Sequence, residues 1–270
     1  MTWCDTGPPN PDVLTRGIRH ARGLENYLYV CINCQGIMEA GVKAGGRQRE
    51  DGRVLRGEAT RERVLDAAER LFADHGFDAV SIRQIAQEAE VTLGVVGFHS
   101  GSKEALFSTI LKRRVDMLSA GRRAALDRLL AEKGRGAITL RDLMAAYIGP
   151  YIDCASAGDP QWLAYARLIA HTAGDSRWYP AVKDLYDPMA LVFLDEIGAL
   201  YPRAPRERLA AAFVMSVAAM LSTVASTTRM AALAADGEIL PSADTGDRLA
   251  RHRQTLIDFC AGGIERAVSA

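Results

Sequence analysis

The chain has 270 residues, with 33 Lys and Arg balanced by 33 Asp and Glu. That length admits two domains and a sizeable core. The zero net charge excludes a globally basic protein, so any contact with nucleic acid must come from charge placed locally. Five cysteines (Cys4, Cys31, Cys34, Cys154, Cys260), an odd number with no signal-peptide pattern ahead of them, point to reduced thiols and a cytoplasmic protein. Residues 1–56 are rich in Gly, Pro, Asn and Arg and hold no sustained period beyond Leu24–Ile37. They are expected to form a disordered N-terminal extension, with translation starting downstream, for instance at Met38. Cys31 and Cys34 make a CxxC, but no second Cys or His pair stands at zinc spacing, so no metal site is expected. Lys43, Arg47, Arg49, Arg53 and Arg56 close the extension as a basic arm, which either lies along DNA or is a solvated tail.

Residues 57–117 read as a unit of short helices. Thr60 precedes Val64, Leu65, Ala68, Leu71 and Phe72, which form a core-facing helical stripe ended by Gly76. Ser81 and Gln84 have capping-box spacing and open a second helix that carries Ile82, Ile85, Ala86 and Ala89 inward. Thr92 is expected to cap a third helix and Ser102 a fourth. Two short helices joined by a tight turn are the form that lays its second helix in the DNA major groove.

From Lys103 onward, residues 118–270 included, every pattern is helical, so the fold class is all-α. A long helix runs from Lys103 to near Glu132 and stops at Gly134-Arg135-Gly136. Thr139 opens a helix kinked at Pro150, and Gln161–Ala173 forms another. A helix over Tyr179–Leu200 bends near Asp187-Pro188, and helices at about 206–235 and 244–268 complete the body. The segment 209–228 is uncharged and of membrane-spanning length. Its small residues, flanking Arg208 and Arg229 and stripe of Phe213, Val217, Met220, Leu221, Val224 and Thr228 favour a buried or subunit-interface helix over a membrane span. Leu249, Leu256, Phe259, Cys260 and Ile264 make a matching stripe in the last helix.

The cassette resembles the DNA-binding domain of the TetR/AcrR family of transcriptional regulators. Thr60, Arg61, Ala67, Ala68, Leu71, Phe72, Gly76, Phe77, Ser81, Ile82, Ile85, Ala86, Ala89, Val91, Thr92, Gly94, His99, Ser102, Lys103, Glu104 and Leu106 match the family pattern in order and without a gap. Four positions depart from it: Glu90 stands for the turn glycine, Leu93 for a polar or basic residue, and Gly97 and Ser100 for aromatics.

The resemblance implies an N-terminal three-helix helix-turn-helix domain and a C-terminal helical domain for ligand binding and dimerisation. It implies a homodimer in which the last two long helices pair about a twofold axis. The partners it implies are double-stranded DNA bearing a palindromic operator and a small apolar effector that releases a repressor.

The residues expected at DNA are Arg83, Thr92, Leu93, Gly94, Val95, Gly97, Phe98, His99 and Lys103. Arg83 is either a phosphate contact or an exposed structural arginine, and the contact of His99 rests on the resemblance. The recognition helix carries no Lys or Arg, so Leu93 or Val95 would read thymine methyl groups. Trp162, Tyr165, Arg167, His171 and Trp178 mark the region expected to hold the effector, although Trp162 and Tyr165 share one helix face and Arg167 and His171 another. The alternative is a member impaired in DNA binding that acts through protein–protein contact or heterodimerisation. No GxSxG, HExxH, P-loop or Rossmann glycine pattern occurs, so neither an enzyme nor a cofactor is expected.

Overall fold

Apolar residues recur at helical spacing through both halves of the chain. The computed structural model describes residues 47–235 and 245–269, which form helices joined by short turns with no strand among them. The expected start at Met38, the Cys31–Cys34 pair and Lys43 lie outside the described residues. The described residues from Arg53 onward make one compact unit.

Helix α1 (Arg47–His75) begins well before Thr60, which was expected to cap it. Thr60 Oγ1 instead donates to the Arg56 carbonyl at 2.8 Å, the back-bond of a threonine inside a helix. Residues 47–56, expected as the disordered end of the extension and part of its basic arm, are therefore helical. The physical reason is the lack of a breaker: no proline intervenes, and Gly52 and Gly57 each cost only about 1 kcal/mol relative to Ala. The helix buries Val64, Leu65, Ala68 and Phe72. Gly76 ends it with φ 77° and an N–H donated to the Phe72 carbonyl at 3.0 Å.

Helix α2 (Ile82–Glu88) carries the expected capping box. Gln84 N–H donates to Ser81 Oγ at 3.3 Å, and Ser81 N–H donates to Gln84 Oε1 at 2.8 Å. Helix α3 (Leu93–Ser100) follows, with Thr92 extended at its start but making no side-chain cap bond. Helix α4 (Lys103–Lys133) is capped by Ser102, whose Oγ accepts from Ala105 N–H at 3.1 Å. It runs unbroken across the expected boundary at 117/118, so head and body share one rod.

In the body, helix α5 (Leu140–Ser156) opens with a Thr139–Asp142 capping box and contains Pro150. Helix α6 (Pro160–Thr172) starts on a proline behind the Asp159 cap. A 3-10 turn at Ser176–Trp178 leads into helix α7 (Tyr179–Leu200). The single helix expected over 206–235 is divided at Ser226 into α8 (Arg206–Ala225) and α9 (Thr227–Ala234). A run of Ser and Thr surrounds the break, and Thr223 Oγ1 donates to the Ala219 carbonyl at 2.8 Å, the kind of local bond that competes with helix continuation. Helix α10 (Thr245–Ser269) packs against α5 and α8, α6 packs against α8, and α4 packs against α5 and α7.

Helix α8 is long and apolar enough to cross a membrane by length and composition, but it buries Leu209, Phe213, Met220 and Val224 in this bundle. Its stripe is corrected at one end, since Thr228 is exposed. In α10, Leu249, Leu256, Cys260 and Ile264 point inward as expected, whereas Phe259 points out and is 70% exposed. Cys154 and Cys260 are free thiols.

The turn between α2 and α3 holds Glu90 at φ 54°, the left-handed region, and no other non-glycine residue among those described has positive φ. A side chain costs about 1–2 kcal/mol there, which gives a physical reason for the glycine that the family pattern wants. Replacing it with Gly (Glu90→Gly) is expected to stabilise the protein by about 0.5–1 kcal/mol. A rise in the urea midpoint with unchanged slope would show it, and an unchanged or lower midpoint would count against strain at this turn.

Candidate nucleic-acid interface

Helix α3 sits on the head through one fully buried side chain, Val96, while the core beneath it is built from Phe72, Ile85, Ala86, Phe107 and Ile110. Such sparse anchoring leaves most of the helix free. Thr92, Leu93, Gly94, Gly97 and Phe98 form its exposed side, and Val95, His99 and Ser100 are half-buried. Leu93 is 57% exposed and Phe98 is 86% exposed, an unusual display of apolar surface on so short a helix. The His99 ring stands edge-on to Phe98, with centroids 5.1 Å apart. Space around Gly94 and Gly97 is open, so their bare backbone can approach a surface closely.

Of the residues expected at DNA, this face therefore brings together Thr92, Leu93, Gly94, Gly97 and Phe98, with Val95 and His99 at its edge. Arg83 is exposed on α2. Lys103 is placed elsewhere: its ammonium lies 4.3 Å from the centre of the Phe77 ring. This cation–π contact ties the start of α4 to the turn after α1.

The head is joined to the body by a set of paired charges. Glu69, fully buried on α1, accepts from Arg114 Nε and Nη2 at 3.2 and 3.1 Å. Gln161 on α6 donates to the same carboxylate at 2.9 Å and accepts from Arg70 at 2.9 Å. Burial holds the Glu69 carboxyl above its ordinary range, against the pull of Arg114. Arg113 pairs with Asp66 and Glu62 at 2.6 and 2.7 Å. Trp178 packs against Phe77 and Phe107, with ring centroids 4.6 and 4.3 Å away. Beside it, Arg177 bridges Asp78 at 2.9 Å and Asp175 at 2.7 Å and pulls both carboxyls below the ordinary aspartate range.

The five residues expected around an effector do not converge. Trp162 and Tyr165 are buried in the body, edge to face at 5.6 Å. Arg167 pairs with Asp74 of α1 at 3.1 Å. His171 and Trp178 line a cleft of about 260 Å³ against Phe72, Phe77 and Asp78 of the head. Two charged residues that sequence reasoning passed over, Glu69 and Arg114, lie within apolar stripes: Glu69 between Leu65 and Phe72, and Arg114 between Leu111 and Leu118. A charge inside such a stripe is the signal of a buried pair. Among the described residues, no group of His, Cys, Asp or Glu is placed to hold a metal ion.

Comparison with known proteins agrees with this architecture. Residues 64–110 match the model of bacterial regulatory proteins of the tetR family, and residues 145–263 match the tetracyclin repressor-like C-terminal domain. The chain belongs to the TetR family of transcriptional regulators. Such proteins are regulators and not enzymes. The chain is similar to the transcriptional activator FasR of Mycolicibacterium smegmatis, with 39% identity over 83 residues, 31% of this chain and 37% of that protein. It is also similar to a transcriptional repressor of Mycobacterium tuberculosis, with 31% identity over 62 residues, 23% of this chain and 33% of the relative. The matches thus span only about a third of the length of either relative. A putative tetR-family regulator from Shewanella sp. PV-4 shares the fold, with a TM-score of 0.53 and 16% identity over 75% of this chain and 96% of its own.

The Arg177 bridge yields a pH prediction. Because both aspartates have depressed folded pKa values, their contribution is present above the ordinary aspartate range and is lost as pH falls through the depressed values, below about pH 4. Hydrogen exchange of the 173–179 turn is expected to accelerate in that window and, in Arg177→Ala, to be fast already at neutral pH. Equal protection of the two proteins at pH 7 would exclude the bridge as the clasp.

Proposed function

We propose that the protein is a homodimeric DNA-binding repressor that a small apolar effector releases from a palindromic operator. The observation that carries the DNA-binding half is α3, exposed at Leu93, Gly94, Gly97 and Phe98 and held by a head that is pinned to α4. A helix presented this way fits the major groove, which is wide enough to admit it. Its exposed face offers few hydrogen-bond donors, so Leu93 and Phe98 would meet thymine methyl groups while Thr92 and the bare backbone at Gly94 and Gly97 approach phosphate or sugar. Arg83, exposed on α2, supplies positive charge from the same domain. A cytoplasmic location follows from a DNA target and is part of the same proposal.

Dimerisation is supported by apolar side chains turned away from the body on the two helices expected to pair. Met215 on α8 and Phe259 on α10 are each 70% exposed, and Val214 is exposed beside Met215. A twofold pairing of these faces would space two copies of α3 for one palindrome. Repression follows from the coupling of α4 to the head, because an effector that tilts α4 would pull both readers off register. The relatives carry both activator and repressor names, so this direction is part of the proposal.

A second reading is favoured by Phe98. An aromatic ring this exposed, beside Gly97 where the family pattern has an aromatic, also fits a protein partner or a DNA-competent heterodimer partner.

Incubating the full chain with a random-sequence duplex pool at two salt concentrations, then sequencing what is retained, separates the two readings. Enrichment of a palindrome, with retention falling as salt rises, is the expected result. A folded protein that enriches no sequence would shift the assignment to the partner reading. Gly97→Tyr, whose Cβ would have open space, is expected to raise DNA affinity by roughly tenfold through one added phosphate contact and better helix propensity; unchanged affinity would show that α3 does not lie near the backbone. Phe259→Glu is expected to give monomers in sedimentation velocity and to abolish palindrome binding, and a stable dimer would place the interface elsewhere.

A further inference from the structure

Helix α4 buries two arginines two turns apart, and their surroundings differ. Arg114 meets the carboxylate of Glu69 through two hydrogen bonds. Arg122 is 3% exposed and pairs with no carboxylate among the described residues. Its Nε donates to the Tyr147 carbonyl at 2.9 Å, its guanidinium lies 3.8 Å from the centre of the Tyr147 ring, and Nη2 is 3.8 Å from Met220 Sδ. The carbonyl is a strong acceptor, the ring face and the thioether are weak ones, and none of the three carries charge. A guanidinium has five donors and no means of neutralising itself near pH 7. An unpaired charge taken this far from water is costly unless an anion meets it.

The polar groups near it are tyrosines. Tyr165 on α6 and Tyr186 on α7 have their hydroxyls 2.5 Å apart, and Tyr151 on α5 donates to the Ala166 carbonyl at 3.3 Å. Burial raises the pKa of all three hydroxyls, while the positive field of Arg122 reaches each and opposes that rise. The three tyrosines therefore stay protonated, so positive charge and neutral hydroxyls share one interior region with no acidic residue among those described to answer them. The surrounding side chains, among them Phe193 and Phe213 packed on Tyr147, are apolar.

We propose that Arg122 anchors an anionic effector inside the helical body, and that this effector is an apolar molecule with a single carboxylate-like head group. The proposal rests on the reading of the chain as a ligand-responsive regulator and names the chemistry of that ligand. The anion completes the charge balance at Arg122, and its apolar part lies among the side chains of α5 to α8. Because Arg122 is on the helix whose earlier turns hold Glu69 and the head, an anion drawn to it acts directly on α4.

The test uses the full chain and matched probes: octanoate, decanoate and dodecanoate against the 1-alcohols of the same length, below their micelle concentrations. Binding is read by tryptophan fluorescence and by the shift in unfolding temperature. At least one carboxylate is expected to bind roughly tenfold or more tightly than its alcohol, the strength of a charge-assisted hydrogen bond. In Arg122→Met that ratio is expected to fall to about one. Without ligand, Arg122→Met is expected to unfold no lower than the parent protein, since it removes an unanswered buried charge. If the methionine variant does not fold, Arg122→Gln, which keeps a donor for the Tyr147 carbonyl, gives the same comparison. No carboxylate binding, equal binding of acids and alcohols, or a carboxylate preference that survives both substitutions would each overturn the anchor. A carboxylate that binds through Arg122 but leaves retention of the selected DNA unchanged would uphold the anchor and overturn the effector reading.

Discussion

Glu69 and Arg114 meet out of contact with water, one on the helix that begins the head and the other on the helix that leaves it. Gln161 joins them from the body and Trp162 lies beneath the guanidinium, 5.1 Å from its carbon. A buried ion pair of this kind adds little net stability, because desolvating both charges offsets most of their attraction. Losing either partner alone costs about 3–5 kcal/mol. The pair therefore acts on geometry: α1 has one favourable register against α4, and α6 is drawn into the same contact. The Phe77–Phe107–Trp178 cluster and the Arg177 bridge extend this junction along the turn after α6.

That rigidity bears on the reader. Helix α3 has a single buried residue and a strained turn before it, so its own packing fixes little. Its orientation is inherited from α1 and α4. The departures from the family pattern all lie at or beside this helix, where they remove donors and aromatic contacts without touching the core. The head thus keeps the scaffold of a DNA reader and presents an apolar face with it. Anything that moves α4 moves that face as a body, which gives a physical route from the interior of the helical domain to the exposed side of α3.

Local signals were legible and distant ones were not. Ser81 and Gln84 announce α2 because a capping box is complete within four residues. The upstream start of α1 was hidden because no breaker marks where a helix fails to stop, and the break at Ser226 because hydroxyl back-bonding has no fixed spacing. The exposed face of α3 followed from its pattern. The effector region did not, since Trp162, Arg167 and Trp178 belong to three different environments that only the packing of α6 against α1 separates. The contact of Lys103 with Phe77 has no local signal, because the two residues lie far apart in the chain. Glu69, Arg114 and Arg122 were readable as charges within apolar stripes, although which of them would find a partner depends on the other helices.

Joined through α4, head and body behave as one mechanical unit. Native-state hydrogen exchange read by mass spectrometry tests it most directly, because it resolves the free energy of opening for each helix. Residues 64–73 of α1 and 104–118 of α4 are expected to open only together with the body helices α5 and α6. A head that exchanges through its own low-energy opening, while α5 and α6 stay fully protected, would contradict it.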